Sequence, residues 1–527
     1  MFAFRINCTQ GIGHFMRCKW LAYELKKSGH DICFLLDDNP KMGDLIATLS
    51  WPVFTLPELS EQQDAESVLS LLETFQQPYD IVVDSYSLGI AWEKVIKAAG
   101  QKLIVIDDLA REHVCDYLID QKFVTDQDNR YKRKLPSHCQ SLLGPQFALL
   151  GPDYQQQHII KNGKKQNILF SLGGGGDWRL LTPLIKECVY QFEDQLNVRV
   201  VIGPQAKHFT ELLEFAEQHK QIEIIRSPDS LFIYYQQAAL FVGALGTSLY
   251  ELLATKTASL TFAIAKNQQN EQQDLQQLGH FFHVVNFLEL SGARQIQLIT
   301  TLLTHRNRVE GLLHRAQCPV DGYGVSRVVQ CITGSAVAPI KSSKLFKAQP
   351  LAREKITAEL SYRAVVDEDM MLYLAARNMP TNANKMTITS AIECDEHINW
   401  WFENQRQSYI IYANEQPIVF IWHQIFNVQE QPFLIGGWFT TGKKVDFPVA
   451  LMILKWQLAL TMEMFPGARW IAVINKENKF VRLLNQYMGF TDVPQESASF
   501  KAIQCAFPQA SPQSFHYIER DPDLQVK

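Results

Sequence analysis

The chain has 527 residues, of which 46% are hydrophobic and 20% are charged, and its 50 basic and 55 acidic residues give a net charge of −5. This length and apolar content predict about three folding units, each able to bury a core of its own. The charge balance excludes a generally basic nucleic-acid binder and a polybasic membrane-surface protein. The longest apolar runs, such as 31–38 and 101–108, have the length of strands, so we expect no membrane insertion.

Ten cysteines are scattered along the chain, and none of them forms a C-x-x-C pair or has the spacing of a zinc ribbon. Most lie in apolar stretches, as the reduced core thiols of cytosolic proteins do. The N-terminal residues enter a strand pattern directly, without a signal-peptide pattern. We therefore expect a cytoplasmic protein without a metal site.

The first third of the chain alternates short apolar runs with helical stretches. FAFRIN (2–7), DICFLLDD (31–38), YDIVVDSY (79–86) and KLIVIDDL (102–109) are predicted strands. Continuous apolar strands separated by helices indicate a parallel sheet that is covered on both faces. This pattern predicts a Rossmann-like unit over residues 1–150.

The same pattern restarts at 164–178 and continues to about residue 264, which predicts a second Rossmann-like half over 151–332. Ligands of such sheets bind at the carboxyl ends of the strands, so the default site is the cleft between the halves. Residues 333–352 read as a linker, because small residues, prolines and lysines occur there without periodicity. Residues 353–527 are predicted to form a further α/β unit.

The segment GIGHFMRC (11–18) joins the first strand to its helix. Gly13 permits a tight turn that places His14 near a helix N-terminus, where the helix dipole disfavours the imidazolium form. A neutral histidine is a competent general base near pH 7. The alternative is a helix-capping loop in which the histidine has no role.

Two glycine-containing turns follow strands of the second half. SLGGGGDW (171–178) includes Gly174 and Gly175, and it is either a phosphate-binding loop or a flexible connection. VGALGTSLYELL (242–253) ends a strand and begins a helix, whose first amides can hold a diphosphate. Glu251 can accept hydrogen bonds from ribose hydroxyls, whereas Thr247 or Ser248 can simply cap the helix.

Further candidates lie at the ends of other strands. Asn267 and Gln268 follow the strand at 258–264, a location that favours contact with a ligand. Tyr86 is predicted to face the cleft, and it is a better functional candidate than Asp107 and Asp108. The paired aspartates are expected to have capping or structural roles, because no third ligand completes a metal site.

Taken together, the segments at 4–22, 80–89, 103–110, 142–150, 169–177, 242–268 and 320–328 resemble the UDP-sugar hydrolases of the pseudaminic-acid pathway. The resemblance covers about residues 1–330. It implies a GT-B-like fold related to the MurG-type glycosyltransferases. It also implies cleavage of the sugar C1–O bond without a cofactor or metal, releasing UDP from UDP-2,4-diacetamido-2,4,6-trideoxy-β-L-altropyranose.

The resemblance also implies roles for individual residues. His14 matches the histidine of the family's GH-x-x-R motif and resembles a base that activates water, and Tyr86 matches a tyrosine on the sugar side. These two are the expected catalytic residues. The expected substrate- and UDP-binding residues are Gly13, Arg17, Gly174, Gly175, Gly246, Thr247, Ser248, Glu251, Asn267 and Gln268.

The last unit resembles a GNAT-type N-acetyltransferase in its segments 364–378, 396–402 and 475–490. Such a unit would use acetyl-CoA. The functional positions depart from the family pattern, because the expected pyrophosphate loop at 440–451 has one glycine and the usual tyrosine position is Asn485. Residues of a possible acetyltransferase site are Gly442, Asn478, Asn485 and Tyr487. His397 and the Trp400/Trp401 pair are either a substrate wall or core packing.

The sequence leaves other functions open. A MurG-like glycosyltransferase would use an acceptor hydroxyl in place of water, and a scaffold would bind the sugar nucleotide without turnover. The last unit can be an acetyltransferase, or a module derived from one that binds a sugar nucleotide or another subunit without transferring acetyl. Nothing in the sequence indicates nucleic-acid binding, and the oligomeric state stays open.

Overall fold

The computed structural model describes residues 1–7, 12–39, 43–155, 165–193, 195–264, 272–315, 320–334 and 351–526. The chain forms two compact units, Met1–Ala348 (unit 1) and Gln349–Lys527 (unit 2). Most of the linker predicted at 333–352 lies outside the described residues. The finer domain boundaries therefore stay predictions.

The first half of unit 1 is a seven-stranded sheet in the order β3-β2-β1-β4-β5-β6-β7, in which every strand pair is parallel. Its elements are β1 (Phe2–Ile6), α1 (Gly13–Lys27), β2 (Ile32–Asp37), α2 (Gly43–Ala47), β3 (Val53–Leu56), α3 (Glu61–Glu73), β4 (Asp80–Asp84), α4 (Ile90–Ala98), β5 (Lys102–Ile106), β6 (Tyr117–Asp120) and β7 (Gln140–Leu143).

The second half of unit 1 is a six-stranded parallel sheet in the order β10-β9-β8-β11-β12-β13. Its elements are β8 (Asn167–Ser171), α5 (Thr182–Gln191), β9 (Asn197–Ile202), α6 (Thr210–Gln218), β10 (Ile222–Arg226), α7 (Phe232–Gln237), β11 (Ala238–Ala244), α8 (Ser248–Thr255), β12 (Ser259–Phe262), α9 (Gln272–Gln277), β13 (Phe282–His283), α10 (Gly292–Thr304), α11 (Arg306–Arg315) and α12 (Gly324–Ile332).

Both sheets are buried on their two faces, which explains the continuous apolar strands. Every residue of β1 is buried, with Phe4 packing in one core cluster and Ala3 in another. Since strand side chains alternate between faces, these clusters lie on opposite sides of the first sheet. The two helix-covered parallel sheets confirm the predicted α/β fold with two Rossmann-like halves.

The last helix of unit 1 returns to the first half. Although α12 follows the second sheet in sequence, Val328 and Ile332 pack in the same core cluster as Phe15 and Leu21 of α1. The sequence places this helix in the second half, at 151–332. Its apolar face therefore links the two halves by burial.

Unit 2 contains a mixed sheet of eight strands in the order β14-β15-β16-β17-β18-β19-β21-β20. Its elements are β14 (Glu354–Lys355), β15 (Leu360–Ala364), α13 (Met370–Asn378), α14 (Pro380–Ala383), α15 (Cys394–Glu403), β16 (Gln407–Ala413), β17 (Gln416–Val428), β18 (Gln431–Thr440), α16 (Phe447–Met464), β19 (Arg469–Asn475), α17 (Lys479–Tyr487), β20 (Thr491–Asp492), α18 (Ala498–Ala506) and β21 (Phe515–Arg520).

The strands β18 and β19 of unit 2 are parallel and separate soon after they meet. Only Phe433 with Arg469 and Leu434 with Trp470 are paired. Beyond these pairs, β18 stays bonded to β17 and β19 to β21, so their facing edges diverge. At the far end of this gap, the side chain of Asn382 donates to the Thr440 carbonyl and accepts the Thr440 amide in place of a strand partner.

Helix α16 is the most apolar long helix of the described chain. It has 18 residues and a mean hydropathy of 1.2, so by length and composition alone it passes as a membrane span, contrary to the expectation from the apolar runs. Its residues Ala450, Leu454 and Leu458 are buried in a core cluster with Trp470 of the sheet. In the described fold, α16 is therefore a packed helix of unit 2.

Candidate active site

The candidate site of unit 1 is built around His14, at the start of α1. The central strand β1 lies between β2 and β4, and the chain enters α1 at Gly13, directly before this histidine. The His14 residue is 8% exposed and lines a cavity of about 580 Å³. That volume lies in the range of small-molecule binding sites.

A carboxylate absent from the sequence-based candidates orients this histidine. Asp84 ends β4, the neighbour of β1, and is fully buried. Its Oδ1 lies 2.6 Å from His14 Nδ1, so the carboxylate accepts the Nδ1 proton. In the neutral ring, Nε2 is then the nitrogen with the free lone pair.

Arg17 compensates the buried charge of Asp84. Its Nε and Nη2 donate to Oδ2 and Oδ1 of Asp84, each at 2.5 Å. Burial opposes ionisation, but the Arg17 charge, with the neighbouring His14, holds the pKa of Asp84 well below its usual value. The expected role of Arg17 in UDP binding stays a prediction, and its observed partners are carboxylates.

Tyr86 stands beside His14, as its position after β4 predicts. The two rings meet edge to face with their centroids 4.7 Å apart. The Tyr86 hydroxyl donates to Asp108 Oδ1 at 2.8 Å, and Arg17 Nη1 lies 3.2 Å from Asp108 Oδ2. Burial and the Asp108 charge raise the pKa of Tyr86, which keeps its hydroxyl protonated near neutral pH.

The paired aspartates have different surroundings. Asp108 lines the cavity and contacts Tyr86 and Arg17, so its expected structural role stays a prediction. Asp107 is fully buried and accepts hydrogen bonds from Arg111 and Tyr131, which fits the structural expectation. Among the described residues, no group of three or more histidine, cysteine or acidic side chains is arranged to hold a metal ion.

Glycines bring the second half against the loop that carries His14. A Cβ on Gly174 would overlap the side chain of Ile12, and a Cβ on Gly13 would lie 3.3 Å from Thr247 Cγ2. Such close approach needs residues without a side chain. The glycine runs therefore bring the loops of the two halves into contact beside the cavity.

The start of α8 also faces the cavity, but the expected side-chain cap is absent there. Thr247 is the N-cap residue and makes no side-chain cap hydrogen bond, because its backbone is already helical, at φ −59° and ψ −23°. Ser248 Oγ donates to the carbonyl of Ala244 at 3.2 Å. The capping alternative for Thr247 is therefore wrong, whereas Ser248 Oγ also accepts the Gly246 amide at 3.4 Å. The positive end of the helix dipole faces the cavity.

Glu251 lies one turn into α8 and lines the same cavity. The Tyr235 hydroxyl donates to its Oε2 at 3.2 Å. Burial raises the pKa of Glu251 to about 7. Its carboxyl group is therefore partly protonated near neutral pH, where it can both donate and accept hydrogen bonds.

The described candidates of unit 1 come together in one place. The cavity lining includes Gly13, His14, Arg17, Tyr86, Gly174, Gly175, Gly246, Thr247, Ser248 and Glu251. Asn267 and Gln268 lie outside the described residues. Sequence reasoning missed Asp84, whose only signal is its position as the charged last residue of a buried strand.

A second cavity, of about 1200 Å³, lies in unit 2. It is lined by Gly442, Asn478 and Asn485, whereas Tyr487 is 68% exposed and is not part of its lining. His397 and Trp400 also line it, but Trp401 is buried and donates to Asp367. The tryptophan pair is thus divided between a cavity wall and core packing.

The start of α16 does not form the pyrophosphate cradle that the resemblance to acetyltransferases implies. Asp446 Oδ1 accepts the amide of Val449 at 3.0 Å, and Pro448 has no amide hydrogen. The carboxylate also opposes a bound anion. Cationic side chains line the cavity instead, namely Arg377, Lys385, Arg406, Lys443 and Lys444, against a single carboxylate, Glu396.

Comparisons with known proteins give distant similarities, and no family model matches the chain. An uncharacterised protein of Methanocaldococcus jannaschii is 21% identical over 472 residues, which cover 85% of this chain and 89% of that protein. Because unit 1 ends at Ala348, this similarity extends over both units.

Two further similarities are to an enzyme of named activity and to a glycosyltransferase structure. The UDP-2,4-diacetamido-2,4,6-trideoxy-β-L-altropyranose hydrolase of Campylobacter jejuni is 22% identical over 277 residues, 51% of this chain and 93% of that enzyme. Among solved structures, MurG of Acinetobacter baumannii is 14% identical, with a TM-score of 0.46 over 63% of this chain and 99% of that one. The chain is thus similar in sequence to a UDP-sugar hydrolase.

Replacing Glu251 tests the electrostatics of the cavity. A folded-state pKa near 7, against an ordinary value of 4.5, means that the fold retains a proton which the unfolded chain releases. Stability is therefore lost as the pH rises from 4.5 to 7. Glu251→Gln removes this loss, roughly 1–3 kcal/mol at pH 8, so its melting temperature should exceed that of the wild type clearly at pH 8 and only slightly at pH 5.

Thermal unfolding at the two pH values is the measurement, with the exposed Glu214→Gln as the matched control. The control should behave like the wild type at both pH values. An equal difference between Glu251→Gln and the wild type at pH 5 and pH 8 would contradict the raised pKa.

Proposed function

We propose that unit 1 hydrolyses a UDP-2,4-diacetamido-2,4,6-trideoxyhexose of the altropyranose type at the sugar C1–O bond. The products are UDP and the free sugar, which serves pseudaminic or related nonulosonic acid biosynthesis. The observation that carries the proposal is the buried Asp84–His14 pair in a cavity shared by two Rossmann-like halves. The similarity to the Campylobacter jejuni hydrolase supports this substrate class.

In this reaction His14 is the general base. Its Nε2 takes a proton from water while the water oxygen bonds to C1, and Asp84 stabilises the resulting imidazolium through Nδ1–H. The C1–O bond breaks with its electron pair going to the β-phosphate oxygen of UDP. Tyr86, with its proton held by Asp108, serves as a wall beside the sugar and keeps the His14 ring in place.

The leaving UDP carries negative charge that needs fixed donors. The turn Gly246–Ser248 at the start of α8 lies in the cavity, and a helix start is favourable for a diphosphate. Glu251, one turn further, is suited to the ribose hydroxyls. These groups can stabilise UDP without a metal ion or cofactor.

A MurG-like glycosyltransferase is the main alternative, since His14 would serve an acceptor hydroxyl as well as water. Transfer of the sugar to an added acceptor, without release of free sugar, would support it. Tight binding of the UDP-sugar without turnover would instead support a scaffold. The proposed hydrolase is cytoplasmic, in keeping with the free thiols in the described part of the chain.

His14→Asn tests the role of the base. The variant should lose about 10²–10⁴-fold in kcat, because the amide cannot take the proton from water. Affinity for UDP, measured by calorimetry, should be unchanged, since the groups proposed to hold UDP lie on the second half. The control is His138→Asn, a substitution at a largely exposed histidine outside the cavity. Near-normal hydrolysis by His14→Asn would remove this residue from the mechanism.

For unit 2 we propose binding of acetyl-CoA and transfer of acetyl to an amino sugar. The gap between β18 and β19 supports this, because peptide-like amides of the cofactor can pair with the free strand edges. The cationic lining of the cavity suits the phosphates of the cofactor. Since α16 is capped by its own Asp446, side chains rather than helix amides would hold them.

The paired substitution Lys443→Gln/Lys444→Gln tests this proposal. Loss of the two charges that face the phosphates should raise the Kd of acetyl-CoA by about 10-fold or more. This is because losing one charge-assisted hydrogen bond costs roughly 1.5 kcal/mol of binding free energy. The control Lys479→Gln lies on α17 outside the cavity lining and should bind as the wild type does. Absence of acetyl-CoA binding by the wild type, or an unchanged Kd in the paired variant, would contradict the proposal.

A further inference from the structure

In the loop that carries Tyr86, three backbone carbonyl groups are contacted by one side chain of another loop. The guanidinium of Arg111 donates to the carbonyl of Ser85 at 2.8 Å through Nη2. Its Nη1 lies 3.2 Å from the carbonyl of Tyr86 and 3.3 Å from that of Leu88. One cation therefore fixes three carbonyl groups in the turn between β4 and α4.

Arg111 is itself anchored to a buried carboxylate. Its Nε donates to Asp107 Oδ1 at 2.8 Å. The other oxygen of Asp107 accepts the Tyr131 hydroxyl at 3.0 Å and the backbone amides of Leu109 and Arg111 at 3.2 Å. Because Asp107 is fully buried, this anchor is rigid and shielded from water.

The loop 107–111 contacts Tyr86 both at its backbone and at its hydroxyl. Arg111 holds its backbone carbonyl, and Asp108, the neighbour of Asp107, accepts its hydroxyl. Arg111 is not part of the cavity lining, so it acts on the site through Tyr86 and not on a substrate. The segment 107–111 thus sets the position of the ring that packs edge-on against His14.

We infer that Arg111 is a positioning residue, which fixes Tyr86 against His14 in the cavity of unit 1. A planar guanidinium with five donors can reach three carbonyls and a carboxylate together. A lysine keeps the charge but has one ammonium group, so it cannot hold the three carbonyls and the carboxylate at once. The inference goes beyond the proposed hydrolysis and rests on it for its kinetic test.

A double-mutant cycle with Arg111→Lys and Tyr86→Ala provides that test. Arg111→Lys should lower kcat by about 10- to 100-fold with little change in KM, because misplacement of a positioned group costs about this much. In the Tyr86→Ala background the same substitution should cost much less, since both changes act through the Tyr86 ring. Independent effects that multiply would overturn the inference.

The matched control is Arg327→Lys, at a guanidinium that likewise joins an aspartate, Asp321, to a backbone carbonyl, that of Gln146 at 2.9 Å. It lies outside the cavity lining, and its effect should multiply with that of Tyr86→Ala. Equal coupling of Arg327→Lys with Tyr86→Ala would also overturn the inference, because the coupling would then reflect general destabilisation.

NMR of ring-labelled tyrosine separates this inference from the proposed function, because it needs no turnover. The Tyr86 signal is assigned from its absence in Tyr86→Ala. Since the Tyr86 ring meets the His14 ring edge to face with centroids 4.7 Å apart, its displacement in Arg111→Lys should change the chemical shift of this signal, whereas Arg327→Lys should not. An unchanged Tyr86 chemical shift in Arg111→Lys would overturn the positioning role even if the wild type is inactive.

Discussion

The candidate site depends on one buried ion pair, between Asp84 and Arg17. The same carboxylate of Asp84 orients the His14 ring. A fully buried carboxylate is costly unless it is paired and hydrogen-bonded. Here two guanidinium nitrogens and one imidazole nitrogen satisfy it. Removing Arg17 would leave an uncompensated charge beneath the histidine, so the pair stabilises the fold and orients the base at the same time.

The second constraint is the close contact of the two halves. Glycines at 13 and 174 let the loop of the first half touch the loops of the second, and α12 returns to the first core. The base and the turn proposed to hold UDP therefore come from different sheets but face one cavity. With a net charge of −5, the chain as a whole does not attract an anion. Capture of the proposed UDP-sugar would therefore rest on local groups such as the start of α8.

Much of this arrangement was predictable, because buried parallel strands are continuous apolar runs and their carboxyl ends carry the ligand-binding turns. Asp84 escaped prediction because β1 and β4 are neighbours in space, while β2 and β3 separate them in sequence. The interpretation of Thr247 as a helix cap was wrong because its backbone is already helical. The preference of threonine for cap positions does not reveal this backbone conformation. In unit 2, Tyr487 lies two positions from Asn485 and points away from the cavity that Asn485 lines.

The central claim is that a water activated by His14 attacks the sugar carbon. Hydrolysis of the UDP-diacetamido-trideoxyhexose in ¹⁸O-labelled water, followed by mass spectrometry of both products, tests it most directly. The account predicts stoichiometric UDP without label and a free sugar whose C1 oxygen is labelled from the start of the reaction. Label in the phosphate of UDP, or no release of UDP from any isomer of the sugar, would contradict it.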